Sequence, residues 1–165
     1  MTTITTSTIS ELTFREKLII FLQDYGVQLA FGPALAALLG SLYFSEIAGF
    51  EPCKLCWIQR ILMYPLTIIL LVGIFNQDDL IPKYVLPFSI TGMGVSLYHY
   101  LLQNHVFGPD SNFCAVGASC VTRYINLMGF ITIPFLALIA FTMINVLIMG
   151  VAWANRYEIE GDEED

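Results

Sequence analysis

Four long apolar runs divide the chain, at about residues 25–44, 57–75, 84–102 and 124–153. Each is close to or above the ~20 apolar residues that a helix needs to cross a bilayer. Polar and turn-forming residues separate them. Asn76-Gln-Asp-Asp-Leu-Ile-Pro-Lys83 closes the second run, and the stretch from Gln103 to Arg123 holds Gly108-Pro109-Asp110-Ser111-Asn112. Before the first run, Leu12, Phe14, Leu18, Ile19 and Leu22 alternate with Arg15, Glu16 and Lys17, a pattern that predicts a helix lying on the membrane surface. Met1 to Ser10 is rich in Thr and Ser and predicts a flexible start without the features of a cleaved signal. In the first run Gly32, Ala36 and Gly40 recur every fourth residue, which predicts a nearly bare helix face open to a neighbouring helix.

Composition excludes a water-soluble fold. Of 165 residues, 56% are hydrophobic and 13% charged, against about 45–50% and 25% in soluble domains, and mean hydropathy is +0.70. The expected fold is an all-α membrane protein, a four-transmembrane-helix bundle with both termini on one side. Its parts are a flexible and interfacial segment at 1–24, a membrane domain at 25–153 with outer loops at 45–56 and 103–123, and an acidic tail at 154–165. The formal charge of −7 sits mainly in that tail: one Arg against six acids from Arg156 to Asp165 gives −5. Such a run reads as a solvated, disordered end. Lys and Arg total 7 and form no basic stripe, so nucleic acid is not an expected partner, whereas membrane lipid is.

The basic residues leave orientation nearly balanced. Arg15, Lys17, Lys83 and Arg156 lie on the terminal side, and Lys54, Arg60 and Arg123 on the other. The cysteines break the tie. Cys53, Cys56, Cys114 and Cys120 all fall in or beside the two loops away from the termini, and an even set of thiols on one face suits an oxidising compartment. The termini are then cytoplasmic and the cysteines extracytoplasmic.

Cys53-Lys-Leu-Cys56 enters the second run, with its sulfurs one helical turn apart. The first turn of a helix favours thiolate, the reactive form. Arg60 follows Cys56 by four residues, hence on the same face and about 6 Å further along the axis. A cation there either snorkels to the interface or stabilises an anion beside Cys56, as the developing charge of a quinone would require. Cys114-Ala-Val-Gly-Ala-Ser-Cys120 has five residues between its thiols, small or unbranched except Val116, with Gly117 adding backbone freedom. This second pair is either a structural staple or an exchanging disulfide, and the presence of Cys53 and Cys56 on the same face favours exchange. His99 in the third run is either a proton carrier for quinone reduction or a histidine hydrogen-bonded inside the bundle. Gln59 is a candidate donor to a quinone oxygen. His105 reads as a loop residue, and Trp57, Tyr43, Tyr124 and Trp153 as interfacial aromatics.

Pro52-Cys-Lys-Leu-Cys-Trp-Ile-Gln-Arg-Ile-Leu-Met-Tyr-Pro65, preceded by Gly40-Ser-Leu-Tyr-Phe-Ser-Glu46, resembles the disulfide-bond formation protein B (DsbB) family, especially its short BdbC-type branch. Ser96-Leu-Tyr-His-Tyr100 and Tyr124-Ile-Asn-Leu-Met-Gly-Phe-Ile-Thr-Ile-Pro134 extend the resemblance from about Gly40 to Ala140. The resemblance implies a thiol:quinone oxidoreductase of the prokaryotic cytoplasmic (inner) membrane. It would reoxidise an extracytoplasmic thioredoxin-like thiol oxidase of DsbA or BdbD type and pass electrons to the pool of a membrane quinone, ubiquinone or menaquinone. On matching positions, Cys56 faces the quinone, Arg60 holds its ring and Cys53 exchanges with the loop pair. Cys114 is attacked by the partner and Cys120 resolves. Longer DsbB members separate their loop cysteines widely, whereas here, as in the BdbC branch, five residues lie between them.

Two other classes compete. A tetraspan scaffold would carry two inert structural disulfides. A zinc protein would use all four cysteines, but Cys-x-x-Cys followed by Cys-x5-Cys departs from zinc-ribbon spacing and gives Arg60 no role, so no metal is expected.

Overall fold

A computed structural model describes residues 14–76, 80–104 and 132–162. Among them, α1 (Phe14–Leu42) runs directly into a π-helical turn at Tyr43–Ile47, followed by α2 (Lys54–Asn76), α3 (Ile81–Gln103) and α4 (Ile133–Asp162). There is no strand among the described residues, and all four helices are long and apolar enough to cross a membrane.

The helices alternate in direction. Ser41, at the end of α1, meets Arg60 near the start of α2, and Gly73, at the end of α2, meets Ile81 at the start of α3. Ser89 and Tyr100 of α3 pair in reverse order with Asn145 and Phe135 of α4. Finally, Gly26 in the first half of α1 abuts Val151 in the second half of α4, which closes the ring. The result is an antiparallel four-helix bundle. One end gathers the C-terminal ends of α1 and α3 with the N-terminal ends of α2 and α4, so the segment 105–131 joins two helix ends next to Cys53 and Cys56.

Leu66, Leu70, Val85, Phe141, Ile144 and Ile148 are fully buried at the centre. Outside, Ile61, Val72, Phe75, Leu97 and Val146 are exposed, as expected where the surroundings are lipid tails. Apolar surface facing lipid gives little drive for helices to associate, so close packing and interhelical hydrogen bonds carry more of it. Gly92 lets the ring of Phe141 lie where a Cβ would stand. Ser89 Oγ donates to Asn145 Oδ1 at 2.8 Å, and Asn145 Nδ2 donates to the Phe141 carbonyl at 2.9 Å. Pro33, Pro65 and Pro87 lie inside helices, which neighbouring helices in a membrane bundle tolerate.

Three expectations differ from this fold. The segment expected to lie on the membrane surface is continuous with α1 from Phe14, and Leu22 and Gln23 already pack on Gly150 and Ala154 of α4. The bare face that packs is Gly26, Ala30 and Ala34, all buried, not Gly32, Ala36 and Gly40. Among the described residues, no atom outside the local helix backbone lies within 4 Å of a Cβ built at Gly32 or Gly40. At the far end α4 continues to Asp162, so the tail is helical to that point, in keeping with the helix propensity of Ala, Arg and Glu. The expectations for Met1 to Ser10, His105, Cys114, Cys120, Arg123 and Tyr124 fall outside the described residues.

Candidate functional site

Local chain geometry delivers Cys53 and Cys56 together. The Cys53 carbonyl accepts the N–H of Trp57 at 3.0 Å, which makes Cys53 the N-cap of α2. Its sulfur accepts the N–H of Cys56 at 3.5 Å, a sulfur version of the side-chain cap, and the two Sγ atoms stand 3.2 Å apart as free thiols. Upstream, Gly49 adopts φ +68°, a left-handed turn that favours glycine, and so redirects the chain from the π-helical turn toward Pro52 and Cys53.

The thiols face different surroundings. Cys53 is buried against Leu55 and Leu102, with its sulfur 3.7 Å from His99 Nε2, within hydrogen-bond reach for sulfur. Its pKa is lowered from the ordinary thiol value, first because the Cys56 thiol hydrogen-bonds to the thiolate and then because His99 does, against a burial effect that raises it. Cys56 lines a cavity of about 370 Å³. Neither Cys53 nor any residue of α3 lines that cavity.

The cavity lies between α1, α2 and α4 and is closed at one end by the chain joining α1 to α2. Ala36, Gly40 and Ser41 line it from α1, and Cys56, Gln59, Arg60 and Met63 from α2. Phe44 and Phe50 also line it, with their rings stacked at 6.0 Å and 12°. From α4 come Leu136, Ile139 and Met143, which with Ala36 are exposed on the outer face of the bundle. The cavity therefore opens sideways between α1 and α4. The small-residue stripe expected to meet a neighbouring helix instead contributes Ala36 and Gly40 to this space.

Arg60 is anchored at the cavity wall. Its Nη2 donates to the Ser41 carbonyl at 2.9 Å, and its guanidinium carbon lies 5.5 Å from the ring centroid of Trp57. Tyr64 Oη donates to Ser41 Oγ at 3.5 Å. The cavity size falls within the range of small-molecule sites. Its mostly apolar walls, the cation of Arg60 and the amide of Gln59 suit a flat apolar ring with polar oxygens, which is the chemistry of a quinone.

His99 takes a place that its position in the third run did not reveal. It is 1% exposed, absent from the cavity wall and set against the Cys53 sulfur. Gln59 both lines the cavity and lies with Nε2 3.4 Å from His99 Nδ1. The donor atoms of Cys53, Cys56 and His99 all lie within 4.8 Å of one another, close enough for a soft metal ion. With the Gln59 amide oriented so that Nε2 donates to Nδ1, the imidazole carries its proton on Nε2 and presents a donor to Cys53. Sequence reasoning missed the Ser41 carbonyl and the Phe44 and Phe50 wall. No motif signals a backbone acceptor, although Ser41 and Phe44 lie within the string Gly40 to Glu46 on which the resemblance drew.

A thiol pair at the edge of an apolar cavity, set at one end of a four-helix membrane bundle, defines a membrane-embedded dithiol oxidoreductase. The chain belongs to the DsbB family, whose profile, described as "Disulfide bond formation protein DsbB", matches residues 24–152. "Disulfide bond formation protein C" of Bacillus subtilis (strain 168) is 56% identical over 111 residues, covering 67% of this chain and 80% of that protein. "Probable disulfide formation protein C" of Halalkalibacterium halodurans is 52% identical over 111 residues, covering 67% and 81%. "Probable disulfide formation protein C 1" of Bacillus anthracis is 47% identical over 129 residues, covering 75% and 89%. No solved structure matches the chain. The protein is thus a multi-pass membrane oxidoreductase of disulfide formation in the BdbC-like part of that family.

Proposed function

We propose that this protein is a thiol:quinone oxidoreductase that reoxidises an extracytoplasmic thioredoxin-like dithiol oxidase. Cys114 and Cys120 accept two electrons from the partner by thiol–disulfide exchange, and Cys53 receives them from the loop pair. Cys53 and Cys56 then form their disulfide. Arg60 and Gln59 would hold a quinone at the cavity, and it would supply the two-electron, two-proton acceptor that closing this S–S bond requires. Overall, one partner dithiol becomes a disulfide for each quinone reduced. The partner, and with it the loop cysteines, lie on the extracytoplasmic face of the cytoplasmic membrane, with both termini in the cytoplasm.

The observation that carries this reading is the asymmetry of the pair. Cys56 opens onto the cavity beside Arg60, while Cys53 lies away from it against the end of α3, from which the segment holding Cys114 and Cys120 departs. Arg60 would stabilise charge developing on a ring oxygen, and the apolar walls exclude water and so strengthen that interaction. Purified protein mixed with a ubiquinone or menaquinone analogue and a reduced thioredoxin-like protein tests the reading through quinone absorbance. Loss of quinone absorbance that depends on both partner dithiol and enzyme is expected. Partner oxidation without quinone consumption would overturn it.

A further inference from the structure

His99 and Gln59 are polar side chains buried to 1% and 7% exposure at the apolar end of a membrane bundle, where an unpaired polar group is costly. Their arrangement is a line. Gln59 Nε2 lies 3.4 Å from His99 Nδ1, His99 Nε2 lies 3.7 Å from Cys53 Sγ, and Cys53 is itself 5% exposed. Gln59 lies in the second turn of α2 and Cys53 at its N-cap, and His99 reaches them from α3. With the Gln59 amide nitrogen donating to Nδ1, the imidazole proton resides on Nε2 and points at the sulfur. A carboxamide that orients a histidine beside a cysteine is a known way of holding a thiolate in place.

We propose that Gln59 is a positioning residue for Cys53, acting through His99: its amide fixes the imidazole so that Nε2–H donates to the Cys53 sulfur. The inference deepens the reading in which Cys53 exchanges with the loop pair. In that exchange a loop thiolate breaks the S–S bond between Cys53 and a loop cysteine. The loop disulfide forms, and Cys53 leaves with the bonding electron pair as a thiolate. A donor already aimed at the sulfur stabilises that leaving group as its charge appears. The same hydrogen bond holds the thiolate ready for closing the bond to Cys56. Gln59 therefore serves the buried thiol through His99, although its side chain also borders the cavity.

The test uses the reduced full chain in detergent, free of quinone, with Cys114→Ser and Cys120→Ser so that Cys53 and Cys56 are the remaining thiols. Alkylation of Cys53 by iodoacetamide is followed by peptide mass spectrometry. Gln59→Met and His99→Phe should each slow it about tenfold, the loss of one hydrogen bond to a charged group. The double variant should be no slower than His99→Phe alone, since one residue acts through the other. With all four cysteines restored, Gln59→Met should also lower kcat for quinone reduction. Unaltered alkylation, or multiplying effects in the double variant, would each overturn the proposal. Thermal unfolding checks each variant. If Gln59→Met does not fold, Gln59→Asn, an amide one methylene too short, is read in the same way. Failure of the wild type to reduce quinone would sink the broader reading and leave the alkylation result interpretable.

Discussion

Arg60 of α2 and Ser41 of α1 are joined across the bundle by a 2.9 Å hydrogen bond from guanidinium to backbone carbonyl. A side chain free to snorkel would extend its head to the interface. This one is held to the backbone of α1, at the wall of the cavity that Cys56 also lines. The acceptor lies in the last turn of α1 before the helix widens to π geometry at Tyr43, and such widenings recur at functional sites.

Arg60→Met should therefore lower kcat/KM for quinone by about a hundredfold, the effect of losing a donor aimed at developing charge. Exchange between the loop pair and the partner should be unaffected. Arg60→Lys should rescue only in part, because it restores charge without the planar fork. Steady-state rates at several quinone concentrations check this, and unchanged kcat/KM in both variants would remove Arg60 from the site.

Replacing either thiol of the helix pair should separate the two half-reactions. Cys53→Ser or Cys56→Ser is expected to abolish quinone-linked oxidation while Cys114 still forms a mixed disulfide with the partner. Non-reducing gels and quinone absorbance on the same samples give the answer. Full quinone reduction by Cys56→Ser would refute its assignment.

An impermeant maleimide added to reduced intact cells should label Cys114 and Cys120. Labelling that appears only after the cytoplasmic side is opened would invert the proposed orientation, and a reducing cytosol would then oppose the chemistry.

The reactivity of Cys53 should depend on pH in the direction that its surroundings dictate. Hydrogen bonds from Cys56 and His99 lower its pKa, so the thiolate persists as pH falls below the range of ordinary thiols. Alkylation of Cys53 in reduced, quinone-free protein should then change little between about pH 9 and 6, where an unperturbed thiol slows about tenfold per unit below its pKa. A steep decline through that range would contradict the arrangement.

Gly92→Ala should destabilise the bundle by about 1–3 kcal/mol, since a methyl there meets the fully buried ring of Phe141. Gly32→Ala, with open space around it, should be close to neutral. Thermal unfolding in detergent compares the two, and equal melting temperatures would refute the packing argument.

The four apolar runs made the helices and the bundle legible, because lipid-facing helices declare themselves through length and composition alone. The thiol pair and Arg60 were equally plain, since a spacing of four along a helix fixes their common face. The packing stripe of α1 was not. Gly26, Ala30 and Ala34 share the four-residue spacing of Gly32, Ala36 and Gly40, and the two sets lie roughly on opposite faces. Only the position of α4 distinguishes them. His99 was visible as a histidine in a membrane helix, but its depth and its sulfur partner depend on how α3 docks against α2, which no local pattern encodes. The same holds for Ser41, whose contribution comes from its backbone.

The sideways opening between α1 and α4, bordered by Ala36, Leu136, Ile139 and Met143, alters how concentration must be counted for this enzyme. A greasy substrate that arrives through the bilayer is dissolved in two dimensions, so its relevant abundance is a mole fraction of lipid, not an amount per volume of water. Adding empty micelles or extra lipid at constant total quinone would dilute the substrate and slow turnover without touching the protein. Affinities measured at different detergent loads would disagree until expressed on that surface scale.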